Sequence, residues 1–204
     1  MKSLLVCLAF LIVPSIALAQ GTVVVDAPFQ IGIGTSTKTQ DTLITVTNTG
    51  VRGASTTPGN TADITGAICA NFYAFSAVDG SFVSCCTCPV APNAARVITV
   101  NRDLAPNANK SPTTVRTLVK LIGTLPVAGV CEGGATAAST LTSGLVAWRS
   151  NVITTSSTTD MSSYQTESPF VPAVLSAGEL NKMLVGCENY SQLPNSRLIC
   201  RDCQ

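Results

Sequence analysis

"ICANFYAFSAVDGSFVSCCTC", residues 68–88, decides the fold of this chain. Two β-prone runs flank the turn residues Ala77-Val78-Asp79-Gly80, the pattern of a β-hairpin. A four-residue connection pairs Ser76 with Ser81, sets Phe75 against Phe82 and brings Cys69 opposite Cys88. A two-residue Asp-Gly turn would set Cys69 against Val90 instead. The first register is preferred because it unites an aromatic pair and a cysteine pair. Within the second run, Cys86 and Cys88 point one way and Cys85 the other.

Working outward, the neighbouring segments also read as strands. "TVVVDAPFQIGIG", residues 22–34, places Val23, Val25, Ala27, Phe29, Ile31 and Ile33 on one face, with Pro28 marking an edge or a break. "DTLITVTNTG", 41–50, "ARVITVNRDL", 95–104, "TVRTLVKLIGTL", 114–125, and "LVAWRSNVI", 145–153, are further strands, the last holding the only tryptophan, Trp148, read as a core residue. "TTSSTTDMSS", 154–163, reads as a polar connection. One helix stands out: Ser176 and Glu179 form a capping box, and Leu180, Met183, Leu184 and Cys187 recur as one apolar stripe. Short strands punctuated by turns, without strand–helix alternation, predict an all-β fold: a disulfide-linked antiparallel β-sandwich with one short C-terminal helix.

The chain opens "MKSLLVCLAFLIVPSIALAQ", with Lys2, an apolar run and Ala17-Leu18-Ala19, the form of a cleavable export signal over residues 1–19. The expectation is one secreted β-rich domain over 20–204, placed outside the cell or in the periplasm, in which strand 20–34 could serve between molecules. After cleavage the 12 basic residues lose Lys2 and balance the 11 acids, so nothing favours nucleic acid or an anionic membrane. No later stretch is apolar for long enough to span a bilayer. Histidine is absent, which excludes Ser-His-Asp and Cys-His catalysis.

Eight cysteines remain after the signal: Cys69, Cys85, Cys86, Cys88, Cys131, Cys187, Cys200 and Cys203. An even count in an exported chain is the mark of a disulfide framework. The three thiols at 85–88 take separate partners, since adjacent sulfurs bond each other only with strain. Cys69 is the nearest partner for Cys88, with Cys131, Cys187 and the Cys200/Cys203 pair supplying the others. Zinc on C-C-x-C plus C-x-x-C, and redox chemistry at Cys200-Arg201-Asp202-Cys203, are the weaker readings in an oxidising compartment. No metal or cofactor is expected, and no catalytic residue is assigned.

The stretch C-A-N-F-Y-A-F at 69–75, the segment C-C-T-C-P-V-A-P-N at 85–93 and the later "LVAWRSNV" and "LSAGEL" resemble a family of uncharacterised secreted bacterial proteins. The resemblance covers roughly residues 65 to 203. It implies export and a fixed cysteine pattern, and brings no activity to carry over.

The leading functional expectation is a non-enzymatic extracellular structural or interaction protein, such as a surface or fibre subunit. Its partner would be a second copy or another extracellular protein, and the assembly strand would present Val23, Val25, Phe29, Ile31 and Ile33. A carbohydrate- or ligand-binding β-domain is the alternative. A thiol oxidoreductase or hydrolase ranks below both.

Overall fold

A computed structural model of the chain describes residues 27–37, 40–54, 65–105, 115–131, 140–156 and 161–203. The expected export signal over 1–19, Val23 and Val25 lie outside the described residues. Among the described residues nine strands and one α-helix follow in order: β1 Phe29–Ser36, β2 Gln40–Asn48, β3 Ile68–Ser76, β4 Phe82–Val90, β5 Ala95–Thr99, β6 Val115–Thr124, β7 Leu145–Ser156, β8 Met161–Pro169, β9 Val171–Pro172 and α1 Ala177–Ser191. They form two antiparallel sheets, one ordered β4-β3-β6-β1-β9 and the other β5-β2-β7-β8. The fold is the disulfide-linked all-β sandwich read from the sequence, with α1 as a third layer on the five-stranded sheet.

Parity explains the layers. Between the sheets lie Ile44, Val46, Ala70, Phe72, Ala74, Ile98, Val119, Leu121, Leu145 and Ala147. Tyr73, Phe75, Phe29 and Ile122 point from the five-stranded sheet the other way, where Met183 and Cys187 of α1 cover them. Both faces of that sheet are thus buried, and its strands read as near-continuous apolar runs. Ser176 caps α1 as the sequence predicts, its Oγ accepting the Glu179 N–H at 3.1 Å.

β1 uses its two faces unlike the expected pattern. Phe29 and Ile31 meet the helix layer, while Ile33 is exposed. The inter-sheet face carries Gly32, where an added Cβ would fall 2.6 Å from the Phe170 ring. The glycine makes room for that ring. β1 also pairs inside its own chain, with β6 along its whole length and with β9 at Gln30 and Ile31.

Three strand expectations are corrected. The hairpin turn is as predicted, with Ser76 N–H donating to Ser81 C=O at 2.8 Å and Phe75 opposite Phe82. One step later the register shifts between Ala74 and Phe75, so Ala74 opposes Ser84 and Cys69 opposes Pro89, not Cys88. The strand predicted over 95–104 ends at Thr99, because the Asp103 carboxylate takes the Thr99 N–H at 2.9 Å and the chain closes a π-helical turn at Val100–Leu104. The polar connection predicted over 154–163 is largely strand, since β7 runs to Ser156 and β8 starts at Met161.

Candidate functional site

All eight framework cysteines are bonded: Cys69–Cys131, Cys85–Cys187, Cys86–Cys200 and Cys88–Cys203, with Cα separations of 5.0 to 5.6 Å. The expected Cys69–Cys88 pairing is therefore corrected. Its cause is the bulge, which turns Cys88 toward the inter-sheet core and leaves Cys69 on the opposite face. The expected split of the triplet is what the structure has. Cys85 faces α1 and meets Cys187, while Cys86 and Cys88 face the core and meet the C-terminal segment.

The sulfurs of Cys88, Cys200 and Cys203 lie within 4.8 Å of one another, the cluster a C-x-C plus C-x-x-C metal site would use. A metal would need these sulfurs as thiolates and a C-x-x-C redox couple would need Cys200 bonded to Cys203, whereas here Cys200 is bonded to Cys86 and Cys203 to Cys88.

A buried carboxylate serves the same segment. Asp103 accepts Arg201 N–H at 2.7 Å and Thr99 N–H at 2.9 Å, and Arg102 pairs with Asp202. Asp41 accepts the Thr42 and Asn101 N–H groups at 2.8 and 3.1 Å. Its carboxyl is nonetheless raised above the usual carboxylate range, chiefly by burial, with the Asp103 charge adding a smaller push. The charge of Asp103 bears on Asp41 across 62 residues of sequence. Both are occupied by backbone donors, so they act as clamps. Lys120, buried at 8% exposure, is held by Glu179 and sits 4.3 Å from the Phe75 ring centroid. The cavity bounded by Cys86, Asp103, Tyr190 and Arg201 is about 30 Å³, room for a water molecule.

The sheet edges differ from one another. Along β4, Thr87 N–H donates to Leu198 C=O and Thr87 C=O accepts from Cys200 N–H, so the C-terminal segment caps that edge at Thr87. On the outer side of β1, Arg149 donates to the Ile33 carbonyl at 2.7 Å and the Thr42 hydroxyl accepts Thr35 N–H at 2.8 Å. β5 is five residues long and β9 two. β8 is nine residues long, and among the described residues no strand pairs with its outer side. Phe170 N–H donates to Ala147 C=O, which fixes the alternation: Ser163, Gln165 and Glu167 turn their backbone groups away from β7. Such an edge is a template for another strand.

Trp148 is corrected from core to surface. Its β7 neighbours Ala147 and Arg149 point inward, so it lies on the outer face of the four-stranded sheet, 37% exposed. In register it stands between Thr45 and Pro169, with Val97 beyond Thr45, a row of mostly apolar side chains.

Sequence reading missed β8 because Ser162, Ser163, Thr166 and Ser168 supply no apolar alternation. The signal available was parity: Tyr164 follows a Ser-rich run at hairpin distance from Ile153, its partner. No family model, curated protein or solved structure matches this chain.

Proposed function

We propose that this is an exported, non-enzymatic structural or interaction subunit that assembles by strand addition at β8. The observation that carries the reading is the contrast between edges: the others are covered, capped or short, while β8 offers nine residues with little charge. The strand supplied is one from a second copy, and the β-branched run Val23-Val24-Val25 ahead of β1 is the candidate donor. The four disulfides suit a subunit that must keep its shape outside the cell. Absence of histidine, clamped Asp41 and Asp103, and a paired Lys120 favour a role without catalysis. Among the described residues no helix is long and apolar enough to cross a membrane.

Gln165→Pro removes one outward N–H and leaves the β7 ladder intact. Light scattering across a concentration series is expected to show assembly of the wild type, loss of it in Gln165→Pro, and the same loss on deleting residues 20–26. A wild type that stays monomeric, or a variant that assembles equally well, overturns the reading.

A second reading, carbohydrate or ligand binding on the outer face of the four-stranded sheet, is favoured by exposed Trp148, since sugars stack on such rings. A glycan array with Trp148→Ala as control separates the two.

A further inference from the structure

We propose that this chain is a client of a thiol–disulfide isomerase, because its native pairing cannot be reached by joining cysteines in the order they are made. The first four cysteines of the framework bond the last four in the same order, across 62, 102, 114 and 115 residues. No native bond can close before Cys131 exists, and three of them wait for residues 187–203.

Meanwhile wrong partners are close. Cys69 lies 16, 17 and 19 residues from Cys85, Cys86 and Cys88 in the sequence. Before the β3–β4 hairpin forms nothing keeps these thiols apart; only the finished, bulged register sets Ala70 opposite Cys88 and turns Cys69 to the other face. Loop closure scales with the three-halves power of loop length, so each near thiol is favoured over Cys131 by roughly sixfold to eightfold. With three such competitors, about one molecule in twenty would give Cys69 its native partner first.

A second ambiguity sits at the other end. The sulfurs of Cys88, Cys200 and Cys203 are mutually within 4.8 Å, so proximity alone does not choose Cys203 over Cys200 for Cys88. Cys86, Cys88 and Cys200 are at most 2% exposed and Cys203 is 7% exposed. Once the sheets close, an external thiolate has no path to a misplaced bond. Correction must come before closure.

The chemistry balances by class. Each disulfide forms by transfer of two electrons and two protons to a disulfide oxidant, which leaves as two thiols. Isomerisation then needs no net oxidant. An isomerase thiolate attacks a non-native bond such as Cys69–Cys88, forms a mixed disulfide and releases one substrate thiolate. A second substrate thiolate displaces the isomerase thiolate unchanged.

The test is re-oxidation of the purified, reduced and unfolded chain under two conditions, with connectivity mapped by mass spectrometry of unreduced peptides. One condition supplies oxidised glutathione alone; the other adds reduced glutathione and a catalytic isomerase. The expected result is isomers bonded within Cys69, Cys85, Cys86 and Cys88 under oxidant alone, and a native yield higher by roughly an order of magnitude with shuffling. The double variant Cys69→Ala/Cys131→Ala, which removes the early competitor, is expected to narrow that difference. Native pairing in equal yield under both conditions overturns the proposal, as does a failure to re-pair with the isomerase present.

Discussion

Cys85 and Cys187 join strand β4 to helix α1 with their Cα atoms 5.6 Å apart, across 102 residues of chain. The bond fixes the helix over Tyr73, Phe75 and Ile122, the outer apolar face of the five-stranded sheet. Replacing both cysteines by serine is expected to cost about 2–5 kcal/mol, read as a lower urea midpoint. Alkylation and mass measurement of the native protein should find none of the eight framework thiols free.

Lys120 and Glu179 form a pair beneath the first turn of α1, with the Lys120 side chain 10% and the Glu179 side chain 29% exposed. Glu179→Gln leaves a buried ammonium with a neutral amide oxygen and the Phe75 ring, which also carries the Lys182 ammonium at 5.2 Å, and should destabilise by about 1–3 kcal/mol. Lys120→Met keeps the volume and removes the charge, so it should cost less. Denaturant titration of both variants orders them, and the reverse order would show that the cation is not the buried liability.

Gly186 lies in α1 where an added Cβ would come 2.4 Å from the Phe82 ring. Helix propensity alone says that Gly186→Ala stabilises by about 1 kcal/mol. Overpacking against a ring already edge-on to Phe75 at 5.3 Å should reverse the sign, to a net loss of about 1–2 kcal/mol. Thermal denaturation decides which effect wins.

Asp79 is held at about 2 by the Ser76 hydroxyl first, and then by the backbone and side chain of Ser81. A depressed carboxyl contributes stability that is complete above its ordinary value of 3.8 and is lost as pH falls toward 2. Asp41 runs oppositely: raised by burial, it favours the fold in acid and withdraws that support as pH climbs through the carboxylate range. Asp79→Asn should therefore flatten the acid side of a melting-temperature profile, and Asp41→Asn the rise-side loss.

Trp148 faces solvent, so its fluorescence should be red-shifted and readily quenched by acrylamide in the native state. Trp148→Ala should cost less than about 1 kcal/mol, whereas Phe72→Ala, fully buried between the sheets, should cost about 3–5. Equal losses would place the indole in the core.

The features legible in sequence were local ones. Asp79-Gly80 announced a turn, Ser176 with Glu179 announced a helix start, and the opposite directions of Cys85 and Cys86 followed from strand parity. What failed depended on a single inserted residue or on a distant partner. Val83 is the extra residue of the bulge, and nothing in its type reveals it, yet it exchanges the faces of Cys85, Cys86 and Cys88. Trp148 stands in an apolar run whose inward members are its neighbours, so hydrophobicity pointed the wrong way. Lys120 is buried only because Glu179, 59 residues later, returns above it. The open edge at β8 was invisible for the same reason: an edge is defined by what fails to lie beside it.

The Cys88–Cys203 bond also sets how the molecule bears tension. A pull applied ahead of Cys69 and beyond Cys203 crosses that link directly and bypasses the 115 residues between its ends. β6, β7, β8 and α1 lie inside the bypassed loop, so once β1 and β2 shear off β6 and β7 only the chain before Cys88 can lengthen. Stretching would extend the segment that holds β1 to β4 and then stop, with everything beyond Cys88 still locked in its loop.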